Sequence, residues 1–284
     1  MPPIVNEPDA PSGPDALPAA LPLPRRVEAL SYFFPAHDEA ENVEALVAEA
    51  RVELARLADR FEIICVDDGS RDGTGAIADR LAEAHPDEVR VIHHPVNLGY
   101  GAAVRSGLAA ARFPLICFTD GDRQFRVADL AALLAHLEGS EEGRPDVVAG
   151  YRIRRADPAV RLAYARVYRA CLRLFFGLTA RDPDCACKLF RREALEGVRV
   201  ESGGAFLSAE LLIKIEALRG VIVEQGVPHY PRTAGRASGA DPRVVARAVR
   251  DFWSLRLRLW ADRGAALQRG LPILPDEDGD SARR

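Results

Sequence analysis

Three acidic segments of this chain each follow directly on an apolar run: Pro35-Ala36-His37-Asp38-Glu39, Asp67-Asp68-Gly69-Ser70 and Asp120-Gly121-Asp122-Arg123-Gln124. In the third, two carboxylates one residue apart and an amide two further on bring hard oxygen ligands to one tight turn. Gly121 lets the backbone come close to a ligand there. Such oxygens suit Mg²⁺ or Mn²⁺ held jointly by the protein and a substrate's phosphates. Asp120, Asp122 and Gln124 are therefore candidate metal ligands. Taken alone, the same segment reads equally well as a turn whose aspartate caps the next helix. In the second segment, one carboxylate could accept hydrogen bonds from the N–H groups of a nucleobase, with Asp72 or Thr74 capping the helix that follows. Glu39 could contact a base or ribose, or, like Glu41, lend favourable charge to a helix N-terminus.

These residues need a scaffold, and the hydrophobic pattern supplies one. Strands are expected at Leu30–Phe34, Phe61–Val66, Val89–Ile92, Pro114–Thr119 and Asp146–Gly150. Between them, apolar residues at helical spacing (Val43, Leu46, Val47, Ala50, Leu54, Leu57; then Ile77, Ala78, Leu81; then Gly101 to Ala111) predict helices. The alternation argues for an α/β fold with a mostly parallel sheet and helices on both faces. Ligands in such folds bind at the carboxyl ends of strands, where the three acidic segments fall. Residues 1–26, rich in Pro, Ala and Asp, read as a disordered leader. Residues 27–240 form the main domain, 241–270 a basic amphipathic helical appendage, and 271–284 a polar disordered tail.

Composition narrows the classes. The chain has 284 residues, 48% of them apolar, and a formal net charge of −4, which gives no basic field for nucleic acid. Five cysteines without a CxxC pair indicate neither a disulfide framework nor a zinc site, and a reducing cytoplasm fits. Cys185 and Cys187 are therefore not read as metal ligands, and His93 and His94 end a strand without partners and read as structural. No apolar run approaches the ~20 residues that span a bilayer, and no signal pattern opens the chain. Asn97-Leu98-Gly99-Tyr100-Gly101 lacks the third glycine of a dinucleotide fingerprint, and no Walker lysine is present.

The segments Pro35–Asn42, Val66–Thr74 and Asp120–Gln124, in that order, resemble family 2 glycosyltransferases with a GT-A fold. The likeness is greatest to the branch that glycosylates dolichyl or polyprenyl phosphates, and it covers roughly Leu30 to Ser238. The resemblance implies that Pro35, Ala36, His37, Glu39 and Asp67 or Asp68 line the base and ribose pocket. It implies that Asp120, Asp122 and Gln124 hold a divalent metal against the donor diphosphate, and that Asp120 and Gly121 contact the nucleotide-sugar. Arg152 in Gly150-Tyr151-Arg152 is similar to an arginine that faces the acceptor phosphate. His229-Tyr230-Pro231-Arg232-Thr233-Ala234-Gly235-Arg236 is similar to a segment whose arginine contacts the diphosphate, which makes Arg232 and Arg236 donor ligands. Asp182-Pro183-Asp184-Cys185-Ala186-Cys187-Lys188 resembles an acceptor-side segment, with Asp184 the base if the acceptor is an alcohol. Glu210 stands where the family keeps an acidic residue, and would equally cap and charge its helix. The sequence departs from the family at His37, at Asp38 and in the spacing after Gly235, which bears on the donor.

The expected activity is inverting transfer of a sugar from a UDP- or GDP-linked donor to a polyprenyl phosphate, with Mg²⁺ or Mn²⁺. A phosphate monoester, with a second pKa of ~6, needs no general base. Arginines would serve in its place: Arg152, with Arg154, Arg155 and Arg161 as further candidates. Residues 242–264 interleave arginines with Phe252, Trp253 and Trp260, which suits either an interfacial membrane helix or a helix packed on the domain or a partner. The expected location is cytoplasmic, peripheral to the inner membrane face, with a membrane surface or membrane protein as partner. The alternatives are a family 2 transferase with a diffusible acceptor, a nucleotidyltransferase, and a non-catalytic binding subunit.

Overall fold

Strand β1 (Val27–Ala36) sets the frame, because Tyr32, Phe33 and Phe34 are all fully buried. Successive strand residues point to opposite faces, so both faces of the sheet are covered. The computed structural model describes residues 25–137, 144–153, 159–232, 234 and 242–274. After β1 come α1 (Ala40–Leu57), β2 (Ala58–Asp67), α2 (Thr74–Ala84), β3 (Val89–His93), α3 (Tyr100–Ala110), β4 (Leu115–Phe118) and α4 (Leu130–Leu134). The second half contributes β5 (Val147–Arg152), α5 (Ala159–Phe176), β6 (Lys188–Arg191), β7 (Arg199–Val200), α6 (Leu207–Ala217), β8 (Ile222–Val227), α7 (Pro242–Ala261), α8 (Arg263–Leu267) and β9 (Leu271–Pro272).

The main sheet has seven strands in the order β3-β2-β1-β4-β6-β5-β8. Every pairing in it is parallel except those of β6, which runs antiparallel to β4 and β5. All five expected strands form. Strands β6 and β8, not expected from the sequence, complete the sheet, and β7 and β9 form a separate antiparallel pair. Phe33, Phe118 and Phe190 on the adjacent β1, β4 and β6 form a ladder with centroid spacings of 5.0 and 6.2 Å. Each buried phenylalanine contributes about 1.5–3 kcal/mol, and the ladder ties the odd antiparallel strand to the parallel half.

Two expected boundaries shift. The tail does not begin at Leu271: β9 pairs with β7, and Ile273 and Leu274 are buried, because their apolar side chains cover the β7 region. Residues 275–284 lie outside the described ones, as do residues 1–24 of the expected leader, and Arg26 already donates to the Ala58 carbonyl (2.6 Å). The segment expected as an appendage is packed on the domain. Phe252 of α7 is buried and meets Phe175, Phe176 and Phe206 edge to face, 4.9–5.9 Å between centroids.

Candidate active site

Strand β1 has β2 on one side and β4 on the other, so the chain reverses its direction of winding between β1 and β4. That reversal opens a crevice at the carboxyl ends of these strands. The two strand ends there nearly touch: a Cβ at position 121 would lie 2.7 Å from the Pro35 carbonyl. Only glycine allows the Asp120–Asp122 turn to lie this close to the end of β1.

The loop after β1 is pinned to the loop after β2. The Asp38 and Glu39 amides donate to Ser70 Oγ (3.0 Å) and Thr74 Oγ1 (2.9 Å). The Ala40 amide donates to Asp72 (3.0 Å), and the Arg71 amide donates to Asp38 (2.8 Å). The first amides of α1, which have no partner within the helix, are thus satisfied by the neighbouring loop. Asp67 and Asp68 point inward. Asp68 accepts from the Leu98 and Gly99 amides, both at 2.9 Å, and lies 2.6 Å from His94 Nδ1. Asp67 accepts from the Ser70 amide (3.0 Å) and lies 3.1 Å from His93 Nδ1. Burial alone would raise the Asp67 carboxyl, but Ser70 and His93 hold it below its ordinary value. These contacts correct the expectation that the two histidines lack partners. His93 also meets Asp79 (2.8 Å) and His94 meets Ser106 (2.9 Å). His37 is exposed at the mouth of the crevice.

Around the third segment, Asp122 is 6% exposed; its Oδ1 accepts from the Gln124 amide (3.0 Å) and its Oδ2 from Arg232 (2.5 Å). Arg232 also donates to Glu39 (3.2 Å), linking the ends of β1 and β4 through one guanidinium. Burial raises the Glu39 carboxyl despite Asn42 and Arg232. Gln124 pairs with Tyr230 twice, accepting from its amide (2.9 Å) and donating to its carbonyl (3.3 Å), which seats the 228–232 segment over the turn. Asp120 Oδ1 is buried and makes no hydrogen bond. Burial, then the adjacent Asp122 charge, raises the Asp120 carboxyl, against the pull of Tyr100, Lys188 and Arg152. An unsatisfied buried carboxylate oxygen is costly unless a ligand completes it.

Those donors fit a hard divalent cation: an idle carboxylate oxygen on Asp120, a second carboxylate on Asp122 now neutralised by Arg232, and the Gln124 amide. Among the described residues no cluster of three His, Cys, Asp or Glu side chains gathers as a metal site. Mg²⁺ commonly binds through one or two carboxylates plus substrate phosphates, so two suffice if a diphosphate shares the ion.

The region where the sequence resemblance put the acceptor is built around an ion pair. Arg152 grips Asp182 through both carboxylate oxygens (2.6 and 2.7 Å), so its guanidinium is already engaged and is not free to face a ligand alone. The pair walls a cavity of about 240 Å³ lined also by Tyr151, Arg166, Arg169 and Arg181. Sequence reasoning missed the last three; Arg166 and Arg169, three apart on α5, carried the helical spacing that could have found them. Arg154, Arg155 and Arg236 lie outside the described residues, as does the side chain of Arg161. Asp184 is exposed on the turn before β6. That turn folds around Lys188, which is 1% exposed, donates to the Pro183 (2.9 Å) and Cys185 carbonyls, and has its pKa lowered by burial.

Glu210, read from the sequence as a site residue or a helix cap, is enclosed by the scaffold. It is 1% exposed, accepts from the Glu201 (3.0 Å) and Ser202 (2.9 Å) amides, and pairs with buried Lys214 (3.0 Å). Lys214 in turn donates to the Arg199 and Arg269 carbonyls. Every Glu210 oxygen is committed to the scaffold, which makes it a strut between α6, the 201–204 loop and the C-terminal segment.

Known proteins resemble this chain in sequence and in fold. Glycosyltransferase AglD of Haloferax volcanii is 32% identical over 259 residues, which is 85% of this chain but 40% of that protein's length. Polyprenol monophosphomannose synthase of Mycolicibacterium smegmatis is 30% identical over 243 residues, 81% of this chain and 88% of the relative. Among solved structures, glucosyl-3-phosphoglycerate synthase of Mycobacterium tuberculosis with phosphoglyceric acid superposes with a TM-score of 0.64 at 22% identity, over 88% of this chain and 82% of that one. This likeness bears on the fold alone and agrees with the GT-A architecture. The family described as glycosyl transferase family 2 matches residues 31–199, the stretch that carries all three acidic strand ends. The chain belongs to that family and is a glycosyltransferase.

Proposed function

We propose that the enzyme transfers a sugar from a nucleoside-diphosphate donor to a polyprenyl phosphate with inversion. The observation that carries this reading is the turn at the end of β4, where the unsatisfied Asp120 oxygen stands beside an Asp122 bound to Arg232. The base and ribose would lie along the ends of β1 and β2, against Pro35, Ala36, His37, Glu39 and the inward-held Asp67 and Asp68. The diphosphate would lie over Gly121. Asp120, Asp122 and Gln124 would hold Mg²⁺ or Mn²⁺, which when bound supplies a Lewis acid to neutralise the departing diphosphate. Arg232 would exchange Asp122 and Glu39 for the phosphate oxygens, a bidentate donor moving from one anion to another.

On the acceptor side, the arginine-lined cavity suits a phosphate monoester. Its oxygen would attack the anomeric carbon in line as the bond to the diphosphate breaks, with no proton to remove. Asp184 would be needed as a base only for an alcohol. Relatives named as prenyl-phosphate sugar transferases, including dodecaprenyl-phosphate galacturonate synthase of Rhizobium johnstonii (28% identical), support a lipid acceptor. No helix among the described residues is long and apolar enough to cross a membrane. The enzyme would meet such an acceptor at a membrane surface.

A thermal-shift panel of UDP-, GDP- and dTDP-sugars with Mn²⁺ or Mg²⁺ tests the donor site. A ligand at a hundred times its Kd adds about 2.7 kcal/mol, and so roughly 5–10 °C for one nucleotide. That shift should require metal and vanish in Asp122→Ala. No shift with any nucleotide would sink the reading. Transfer to a water-soluble phosphate but not to a prenyl phosphate in detergent would move the acceptor to the diffusible class.

A further inference from the structure

Helix α7 is apolar on two faces. One packs on the domain through Phe252 and Leu255. The other carries Val245, Val249, Trp253, Leu257 and Trp260, spaced by four, four, four and three residues, so that they share one side of the helix. All five are at least 46% exposed, and Trp260 is 78% exposed. Helix α5 repeats the pattern with Tyr164, Val167 and Leu174, which are 63–78% exposed. The two helices meet where the Phe175 ring lies 5.1 Å from that of Trp253, so the exposed Leu174 and Trp253 flank one contact. Exposed apolar surface of this extent marks an interaction face.

Charge identifies the partner. Helix α5 has four arginines and no acidic residue; α7 has five arginines, of which Arg258 is held by Glu201 and Arg250 by Asp251, in a chain whose formal net charge is −4. A second copy would still set two net-positive faces against each other. An anionic bilayer offers headgroup charge to the arginines and hydrocarbon to the apolar side chains, and tryptophan favours that boundary.

We infer that the outer faces of α5 and α7 together form a docking surface for an anionic lipid bilayer. Arg166 and Arg169 of α5 line the cavity assigned above to the acceptor phosphate. Arg166 lies about a quarter-turn from the docking residues Val167 and Leu174, so docking through α5 sets the rim of that cavity beside the headgroups, where a lipid phosphate could enter while its chain stays in the membrane. This last consequence rests on the proposed acceptor; the docking itself does not.

The chain has two tryptophans, Trp253 and Trp260, and both lie on this face, so intrinsic fluorescence reads its environment directly. Full-length protein titrated with phosphatidylcholine vesicles containing phosphatidylglycerol should show a blue shift, quenching by brominated lipid, and co-sedimentation. Pure phosphatidylcholine should do markedly less, and added salt should weaken the binding. Val249→Glu/Leu257→Glu keeps both reporters, changes only exposed positions, and should lower vesicle affinity at least about tenfold. Circular dichroism would confirm that this variant is folded.

The proposal is overturned if anionic vesicles give no shift, or if the double variant binds them as well as the parent. It is also overturned if light scattering shows a vesicle-free dimer whose formation alone buries the tryptophans, or if only a soluble acidic protein protects them. A metal-dependent nucleotide shift measured on the same preparation separates the two readings: if it persists while docking fails, only the membrane face is lost.

Discussion

The two halves of the sheet solve different problems. Around β1, β2 and the α3 loop, acidic side chains are bonded to backbone amides of neighbouring loops. Asp38, Asp67, Asp68 and Asp72 each accept from at least one amide, at 2.8–3.0 Å. Around β5, β6 and α5, arginines dominate, and Arg181 remains 44% exposed at the cavity wall even with Glu224 nearby. Loops locked by carboxylate–amide bonds cannot drift, which suits a half that must hold a diphosphate in one orientation. Arginines with solvent access suit a half that must admit a charged substrate and steer it by long-range attraction.

If this division is right, the largest effect on stability should come from a carboxylate that lies in neither site. Glu210→Ala leaves Lys214 charged and buried and frees two loop amides. Breaking a buried pair in this way costs about 3–5 kcal/mol. Denaturant unfolding should show that loss, while kcat per folded molecule stays near the parent value. A stable Glu210→Gln with kcat down a thousandfold would instead make Glu210 part of the chemistry and erase the distinction between strut and site.

Arg232→Ala comes next. Removing a donor aimed at developing negative charge costs about 10²–10³ in kcat, and steady-state kinetics at saturating donor measures it. The same variant should bind Mn²⁺ without nucleotide at least as tightly as the parent, because the cation now on Asp122 is gone. Weaker metal binding, seen by calorimetry or by the spectrum of bound Mn²⁺, would mean that Arg232 supports the turn and does not compete for it.

Arg169→Ala probes the other half. If its positive charge draws an acceptor phosphate into the cavity, acceptor KM should rise about tenfold while donor KM holds, since one charge-assisted contact contributes roughly 1.5 kcal/mol. Equal rises in both would blur the separation of donor and acceptor regions.

The acidic half around β1, β2 and β4 was far more legible in the sequence than the arginine-lined half, for a local reason. Each acidic segment follows its strand directly, so Asp67, Asp120 and Asp122 announce themselves by position along the chain. Tertiary pairing governs the rest. Strand β6 has only four residues, one of them the buried Lys188, and it is a strand because β4 and β5 flank it. Arg152 looked free to meet a ligand because Asp182, its bidentate partner, is thirty residues away. Glu210 resembled a site residue because an acidic side chain on a helix gives no local sign that Lys214 and two amides enclose it. The α7 arginines and tryptophans were readable, but which aromatic packs inward was not. Phe252 does, beside an outward Trp253, and helical phase against a distant Phe206 decides it.

The smallest effect tests whether the interlocked carboxylates contribute through charge. Hydrogen bonds to Asp79 and Asp67, working against burial, raise the His93 pKa, while Asp67 is lowered. The histidine's contribution is full below its unfolded pKa of about 6.5 and fades as pH rises through the raised folded value. Asp67 contributes above about pH 4 and loses that contribution as pH falls through its lowered value. The two overlap between roughly pH 4 and 6.5, and a pair whose histidine is half exposed adds less than about 1 kcal/mol there. His93→Gln should therefore lower Tm by about 2 °C at pH 5.5 and by almost nothing at pH 8.5. A constant difference across that range would mean that His93 holds the β2 and β3 ends by shape and neutral hydrogen bonding. The acidic half would then owe its rigidity to backbone amides alone.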